Sequence, residues 1–137
     1  RVVNDEIRTS DMSKRASVCS ALPEVREKLV QLQRSMGAAK SVIMDGRDIG
    51  NNVLKDAQYK FFLTASAEER ADRRHRELLE KGEAISFDEV LEDIKKRDHN
   101  DMTRELNPLR KAEDALEVDT TGLSIEEVID TILKEIK

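Results

Sequence analysis

Asp45, Gly46, Arg47 and Asp48 close a short apolar run, Val42-Ile43-Met44. Two carboxylates and a guanidinium sit on a glycine that permits a sharp turn, which suits a ligand contact at the carboxyl end of a strand. It also suits an ordinary polar turn, and the stretch alone does not choose. A second group, Arg97, Asp101 and Arg104, falls within roughly a 60° arc at 100° per residue of helix. Two guanidiniums around a carboxylate hold each other's charge and leave donors for a phosphate or a sugar hydroxyl. The same spacing also builds an ion-pair ladder on a solvated helix. A third group, Arg70, Arg73, Arg74 and Arg76, places four arginines within seven residues. That is either a polyphosphate clamp, since phosphoryl transfer spreads negative charge over the moving group, or a solvated face partly neutralised by Glu77 and Glu80. Arg26, beside Leu22, Leu29 and Val30, is either a snorkelling side chain or part of a site.

The elements that must position these groups alternate in type. Val42–Met44 reads as a buried strand, Tyr59–Leu63 as a second and Ala115–Val118 as a third. Val2 and Val3 read as the close of an earlier strand, and Glu6–Thr9 as an extended segment or turn. Met12–Ser20 is weakly helical. Pro23 suits a first helical turn, Val25, Leu29, Leu32 and Met36 recur at helical spacing, and Gly37 reads as a stop. Ser66 with Glu69, Ser86 with Glu89 and Ser124 with Glu127 are three capping boxes, each opening a helix. The first of these ends near Lys81-Gly82, and Pro108 bounds the second. Phe87, Val90, Leu91 and Ile94 form an apolar stripe beside the Arg97–Arg104 arc, which leans those charges toward the body of the protein. Ile125, Val128, Ile129, Ile132 and Ile136 make the last helix amphipathic. Strands alternating with helices predict an α/β fold with a parallel sheet.

The chain has 137 residues, 38% hydrophobic and 39% charged, with three Phe and no Trp. One domain or part of a larger one is the expectation at this length. A net charge of −5 argues against general binding to nucleic acid or anionic membrane. Thirteen of the 24 basic residues are arginines, and their clustering fits a discrete anion site. Cys19 is the only cysteine, which excludes a disulfide framework or a thiolate metal cluster within the chain. No signal peptide or long apolar span is visible, so the expectation is a cytoplasmic protein. The chain contains no G-x-x-x-x-G-K-[S/T], no G-x-G-x-x-G, no H-E-x-x-H and no G-x-S-x-G. Half of a phosphate-transfer site is legible; the triphosphate cradle is not.

The order and spacing of several markers resemble the bacterial cytidylate kinases, the (d)CMP kinases of the nucleoside monophosphate kinase group. These markers are Glu6-Ile7-Arg8-Thr9, Ala16-Ser17, Leu22-Pro23-x-Val25-Arg26 and Asp45-Gly46-Arg47-Asp48-Ile49-Gly50. Phe62-Leu63-x-Ala65-Ser66, Glu68-Glu69-Arg70-Ala71, Arg73-Arg74 and Arg97-Asp98-x-x-Asp101-x-x-Arg104 continue the series. Pro108-Leu109, Ala112-x-Asp114-Ala115 and Asp119-Thr120-Thr121-Gly122-Leu123-Ser124-Ile125 complete it over essentially the whole chain.

The resemblance implies a P-loop nucleoside monophosphate kinase fold, a parallel sheet flanked by helices, incomplete here at the amino-terminal side. Residues 1–40 would belong to the monophosphate-binding region and 41–137 to the carboxyl-terminal part of the core domain, with a lid-like segment at about 70–87. It implies ATP-dependent phosphorylation of CMP and dCMP by a monomeric enzyme, with Mg²⁺ bound alongside ATP. Position by position, Ser17, Arg26 and Asp48 match residues that hold the cytosine ring, and Arg47 and Arg104 match monophosphate ligands. Arg97 and Asp101 match positions near ribose and phosphate, and Arg8 is a further candidate. Arg73 and Arg74 match the lid, and Asp45 an acidic residue that steadies the magnesium shell through water. A UMP/CMP-type kinase and a non-catalytic nucleotide-binding module are the alternatives.

Two departures stand out. Gly50 is followed by Asn51-Asn52-Val53 where the family usually has Thr-Val-Val, a change of loop beside the site. The amino-terminal strand and glycine-rich ATP loop of the family are not in the sequence, and the chain does not open on Met. A fragment beginning at Arg1 is therefore expected to be inactive alone and poorly stable.

Overall fold

A computed structural model describes residue 7 and residues 9–136, apart from the side chains of residues 10, 13 and 14. Val2, Val3, Glu6 and Arg8, and the expectations attached to them, lie outside the described residues.

Two strands, β1 (Phe61–Thr64) and β2 (Leu116–Asp119), pair in parallel with Phe61 opposite Leu116 and Thr64 opposite Asp119. Parallel neighbours need a long crossover, and two helices supply it: α3 (Ala67–Glu80) and α4 (Phe87–Thr103). The ladder is prolonged at both ends, by Leu116 N donating to Lys60 O at 2.9 Å and Thr120 N to Thr64 O at 2.8 Å. Ahead of the sheet lie α1 (Ser10–Ala21) and α2 (Pro23–Ala39), and a π-helical turn covers Ile49–Val53. The last helix is α5 (Ile125–Glu135). The α/β class and the parallel sheet expected from the sequence are both present.

The helix starts follow their caps. Ser86 Oγ accepts from Glu89 N at 3.3 Å while Ser86 N donates to Glu89 Oε2 at 2.9 Å, a full capping box. Ser124 and Glu127 repeat it at 3.2 and 2.8 Å. Ser66 forms only half a box. Its Oγ accepts from Glu69 N at 3.1 Å, but its own N–H donates to Thr121 Oγ1 at 3.1 Å, which ties the start of α3 to the loop after β2. Thr9 caps α1, and Pro23 opens α2.

Between α3 and α4, Gly82 takes a positive φ of 79° and Glu83 N donates back to Leu78 O at 3.0 Å. This left-handed turn closes a helix end at little cost for glycine. The hairpin buries Ala71, Leu78 and Val90, with Ile85, Phe87, Leu91 and Ile94 packed around them. Arg70 adds a forked pair to Asp98, Nη1 to Oδ1 at 2.9 Å and Nη2 to Oδ2 at 2.6 Å.

Three expectations need correction. Val42–Met44 is not a strand: among the described residues no strand pairs with it, and Ile43 is fully exposed. An apolar run becomes a strand only where a partner takes its backbone hydrogen bonds. Gly37 does not stop its helix, which runs to Ala39. A β-carbon there would lie 2.6 Å from Leu54 Cδ2, so the glycine admits Leu54 against the helix. Finally, the strands read as Tyr59–Leu63 and Ala115–Val118 sit slightly later, because their ladder is fixed by tertiary pairing and not by local preference.

Candidate functional site

A cavity of about 300 Å³ opens where α1, α2, the Gly46–Ile49 turn and the end of α4 meet. Ser17, Arg26, Arg47, Asp48, Arg97, Asp101 and Arg104 all line it. These seven residues come from four separate stretches of sequence. Gly46, Ile49, Leu29 and Val30 supply apolar and backbone surface between them.

Each charged residue is set by its element. Arg26 occupies the first turns of α2 on the side facing the Gly46–Ile49 turn and is 8% exposed, so it is a buried group and not a snorkelling one. Its Nη2 meets Asp48 Oδ2 at 2.5 Å. Asp48, also 8% exposed, stands at the entrance to the π-helical turn. Arg47 Nε donates to Asp101 Oδ2 at 2.9 Å, and Asp101 is 7% exposed on α4. Arg104, at the carboxyl cap of α4, approaches Asp48 Oδ1 at 3.6 Å and Asp101 Oδ1 at 3.9 Å. Its Nε donates to Asn107 O at 2.7 Å. Asn107 takes a positive φ of 51°, a conformation asparagine tolerates better than most residues, within the turn that follows α4.

Four guanidiniums and two carboxylates leave the lining with an excess of positive charge. Burial, and then the nearby Arg26, pull Arg104 below the ordinary arginine value, with Asp48 and Asp101 acting in opposition. Arg26 Nε and Arg104 Nη2 are buried without a hydrogen-bond partner among the described residues. A buried donor left unsatisfied costs about 1–3 kcal/mol. An anion, or a ligand carrying several acceptors, recovers that cost. The cavity is built to receive negative charge beside a polar, hydrogen-bonding body.

The remaining candidates stand apart. Asp45 is exposed and does not line the cavity, although its neighbour Gly46 does. Arg73 and Arg74 lie on α3, also outside the lining. Arg74 pairs with Glu77 at 3.1 Å and Arg76 with Asp72 at 2.7 Å, while Arg70 is held by Asp98. Glu77, expected to neutralise part of this face, does so for Arg74, and Asp72 adds the close partner of Arg76.

Two residues beside the cavity escaped the reading of the chain. Asn52 Nδ2 donates to Asp48 Oδ2 at 3.2 Å, and Arg34 Nη2 donates to Asn52 O at 2.6 Å. Their signal was present in part, since Asn52 follows Asp48 by four residues inside a segment already marked as unusual. Arg34 carried no local signal.

No group of three or more His, Cys, Asp or Glu able to hold a metal occurs among the described residues. No helix among them is long and apolar enough to cross a membrane.

A family model described as cytidylate kinase matches residues 1–137. A cytidylate kinase of Clostridium perfringens (strain SM101 / Type A) is 57% identical over 130 residues, which are 95% of this chain and 60% of that protein. One from Carboxydothermus hydrogenoformans is 57% identical over 134 residues, 98% of this chain and 60% of the relative. One from Clostridioides difficile is 51% identical over 135 residues, 98% and 62%. The chain thus spans about 60% of the length of the curated relatives it matches. With the match covering every residue and more than half of the aligned positions identical, this chain belongs to the cytidylate kinase family.

Proposed function

We propose that the full-length protein moves the γ-phosphoryl group of ATP to CMP or dCMP, and that residues 1–137 carry the site for the acceptor nucleotide. The observation that carries this reading is the convergence of seven polar side chains on one cavity, two of whose buried guanidinium nitrogens still have donors to give. A nucleoside monophosphate brings a dianionic phosphate, sugar hydroxyls and a hydrogen-bonding ring, which together answer that inventory.

In this reading Arg47 and Arg104 bind the phosphate, with Arg97 close by. Asp101, held by Arg47, accepts from a ribose hydroxyl. Ser17 and Arg26 donate to the carbonyl and ring nitrogen of cytosine, and Asp48 accepts from its exocyclic amine. Uracil presents a carbonyl where cytosine has that amine, so Asp48 would meet it acceptor to acceptor, which disfavours UMP. Rate enhancement comes from positioning and from arginine charge around the transferred group, without a covalent intermediate. Arg73 and Arg74 are the lid groups that would approach the γ-phosphoryl. Asp45 would touch the magnesium of MgATP only through water. The described residues form no protein metal site, and magnesium enters the proposal as part of the second substrate.

The test is steady-state phosphorylation of CMP, dCMP and UMP by the full-length protein with MgATP. CMP or dCMP should be favoured over UMP by at least about tenfold in kcat/KM, the scale of one mismatched hydrogen bond. Equal use of the three acceptors, or no turnover of any, overturns the proposal.

A further inference from the structure

The carboxylate of Asp48 is divided unevenly. Its Oδ2 meets Arg26 Nη2 at 2.5 Å and receives Asn52 Nδ2 at 3.2 Å. Its Oδ1, among the described residues, approaches only Arg104 Nη2, at 3.6 Å, beyond hydrogen-bonding reach. One oxygen is occupied by two protein donors; the other is left on a residue that lines the cavity.

Asn52 can play this part in one orientation only. An amide offers an acceptor on one side and donors on the other, and either assignment fits the side chain's shape. Arg34 decides it. Its guanidinium can only donate, and its Nη2 lies 2.6 Å from Asn52 O and 3.4 Å from Asn52 Oδ1. With Oδ1 turned to Arg34, the NH₂ must face Asp48. The reverse orientation would set donor against donor at Arg34 and acceptor against acceptor at Asp48. The π-helical turn brings Asn52 there, since Asn52 N donates to Asp48 O at 2.9 Å and stacks the two side chains four residues apart. Arg34 reaches them from α2, about two helical turns along from Arg26.

We propose that Asn52 is a positioning residue for base recognition. By saturating Asp48 Oδ2 together with Arg26, it keeps Oδ1 turned to the cavity as the acceptor for an exocyclic amine, and Arg34 fixes the polarity of this relay. The proposal rests on the reading of Asp48 as the acceptor for cytosine, and it adds two residues, Arg34 and Asn52, that contact no substrate themselves.

The full-length protein tests it through Asn52→Leu, which matches the amide in size and removes both of its polar ends, and through Arg34→Ala, an exposed change that spares the fold. Asn52→Leu should raise the KM for CMP on the order of tenfold, as expected for a charge-assisted hydrogen bond lost behind the binding residue. It should leave kcat within about twofold and change the KM for UMP little. Arg34→Ala should move the same quantity in the same direction by a smaller factor. In an Asp48→Asn background, Asn52→Leu should have no further effect on CMP, since the amide acts only through that carboxylate. Equal changes for CMP and UMP, or effects that add to those of Asp48→Asn, overturn the proposal. If Asp48→Asn leaves the KM for CMP unchanged, the reading of Asp48 falls and this inference with it. If Asp48→Asn is damaging and both Asn52→Leu and Arg34→Ala are silent, only the inference falls.

Discussion

Arg47 and Arg26 make ion pairs of similar length, yet their removal should be felt differently. Arg47 is nearly half exposed, and its partner Asp101 keeps Arg104 within 3.9 Å. Arg47→Ala should therefore cost only about 1 kcal/mol of stability. On the proposed role of Arg47 as a phosphate ligand its effect belongs to binding, with kcat/KM for CMP falling on the order of a hundredfold. Arg26 is buried against Asp48. Arg26→Ala leaves that buried carboxylate with Asn52 Nδ2 at 3.2 Å and Arg104 at 3.6 Å but without its close cation, and should cost about 3 kcal/mol, visible as a lowered Tm before any substrate is added. Thermal melts of the two full-length variants, with and without CMP, check both statements. A variant pair with equal losses of Tm contradicts this division. The pattern also explains what could be read from the chain. Arg97, Asp101 and Arg104 were legible because helical periodicity is local and places them on one arc. Asn52 was not, because its role depends on a guanidinium from a different helix and on a π-helical turn that no residue type announces.

At the scale of elements, the capping boxes were the most legible features, since each is a contact over three residues. Ser86→Ala removes the hydroxyl that accepts from Glu89 N, leaves the backbone N–H of residue 86 donating to the Glu89 carboxylate, and should destabilise by about 1 kcal/mol. The same boxes predict a pH dependence. Glu89 and Glu127 have their carboxyls held below the ordinary glutamate value, first by the backbone N–H of Ser86 and Ser124 and then by the serine hydroxyls. Asp119 is lowered likewise by Thr121, and Asp114 by Lys60. A carboxyl with a depressed folded value contributes stability that is present above its unfolded value and lost as pH falls through the folded one. Tm should therefore hold steady near neutrality and fall below about pH 4.5, the ordinary value for glutamate. Glu89→Gln should flatten part of that decline in a melt-versus-pH series, and an unaltered acid limb would count against the assignment. The strand read at Val42–Met44 failed for the opposite reason. A strand is not a local object, and its sequence cannot report whether a neighbour is there to complete the ladder. Gly37 misled in the same way, for it lies inside the helix, where a β-carbon would crowd the Leu54 side chain, and not at the helix end.

For the molecule as a whole, the buried apolar residues among those described are few and small, Val30, Val53, Ala71, Leu78, Val90, Ala112 and Val118. Meanwhile Leu29, Leu32 and Met36 on α2, and Ile125, Ile129 and Leu133 on α5, are exposed. Apolar stripes at helical spacing were predicted correctly, but spacing says which side is apolar and not what covers it. Residues 1–137 taken alone should therefore bind a hydrophobic dye strongly and unfold with weak cooperativity. They should also show no ATP-dependent turnover of CMP in a coupled assay, since the sequence contains no G-x-x-x-x-G-K-[S/T] loop. Measurable turnover by this chain alone would overturn that expectation.

The Arg26–Asp48 pair is also a seam. The helical pair α1 and α2 meets the rest of the described chain at the Ile49–Val53 turn and around the cavity, and the buried 2.5 Å pair is one of the ties that fasten the two parts. Closing the seam and binding a nucleotide then share a single reservoir of free energy. Any ligand that engages both Arg26 and Asp48 is mortar as well as cargo, and any change that loosens the seam taxes affinity by the fraction of molecules left open. A weakened grip on substrate in such a variant would measure the masonry, even with every residue that touches the ligand intact.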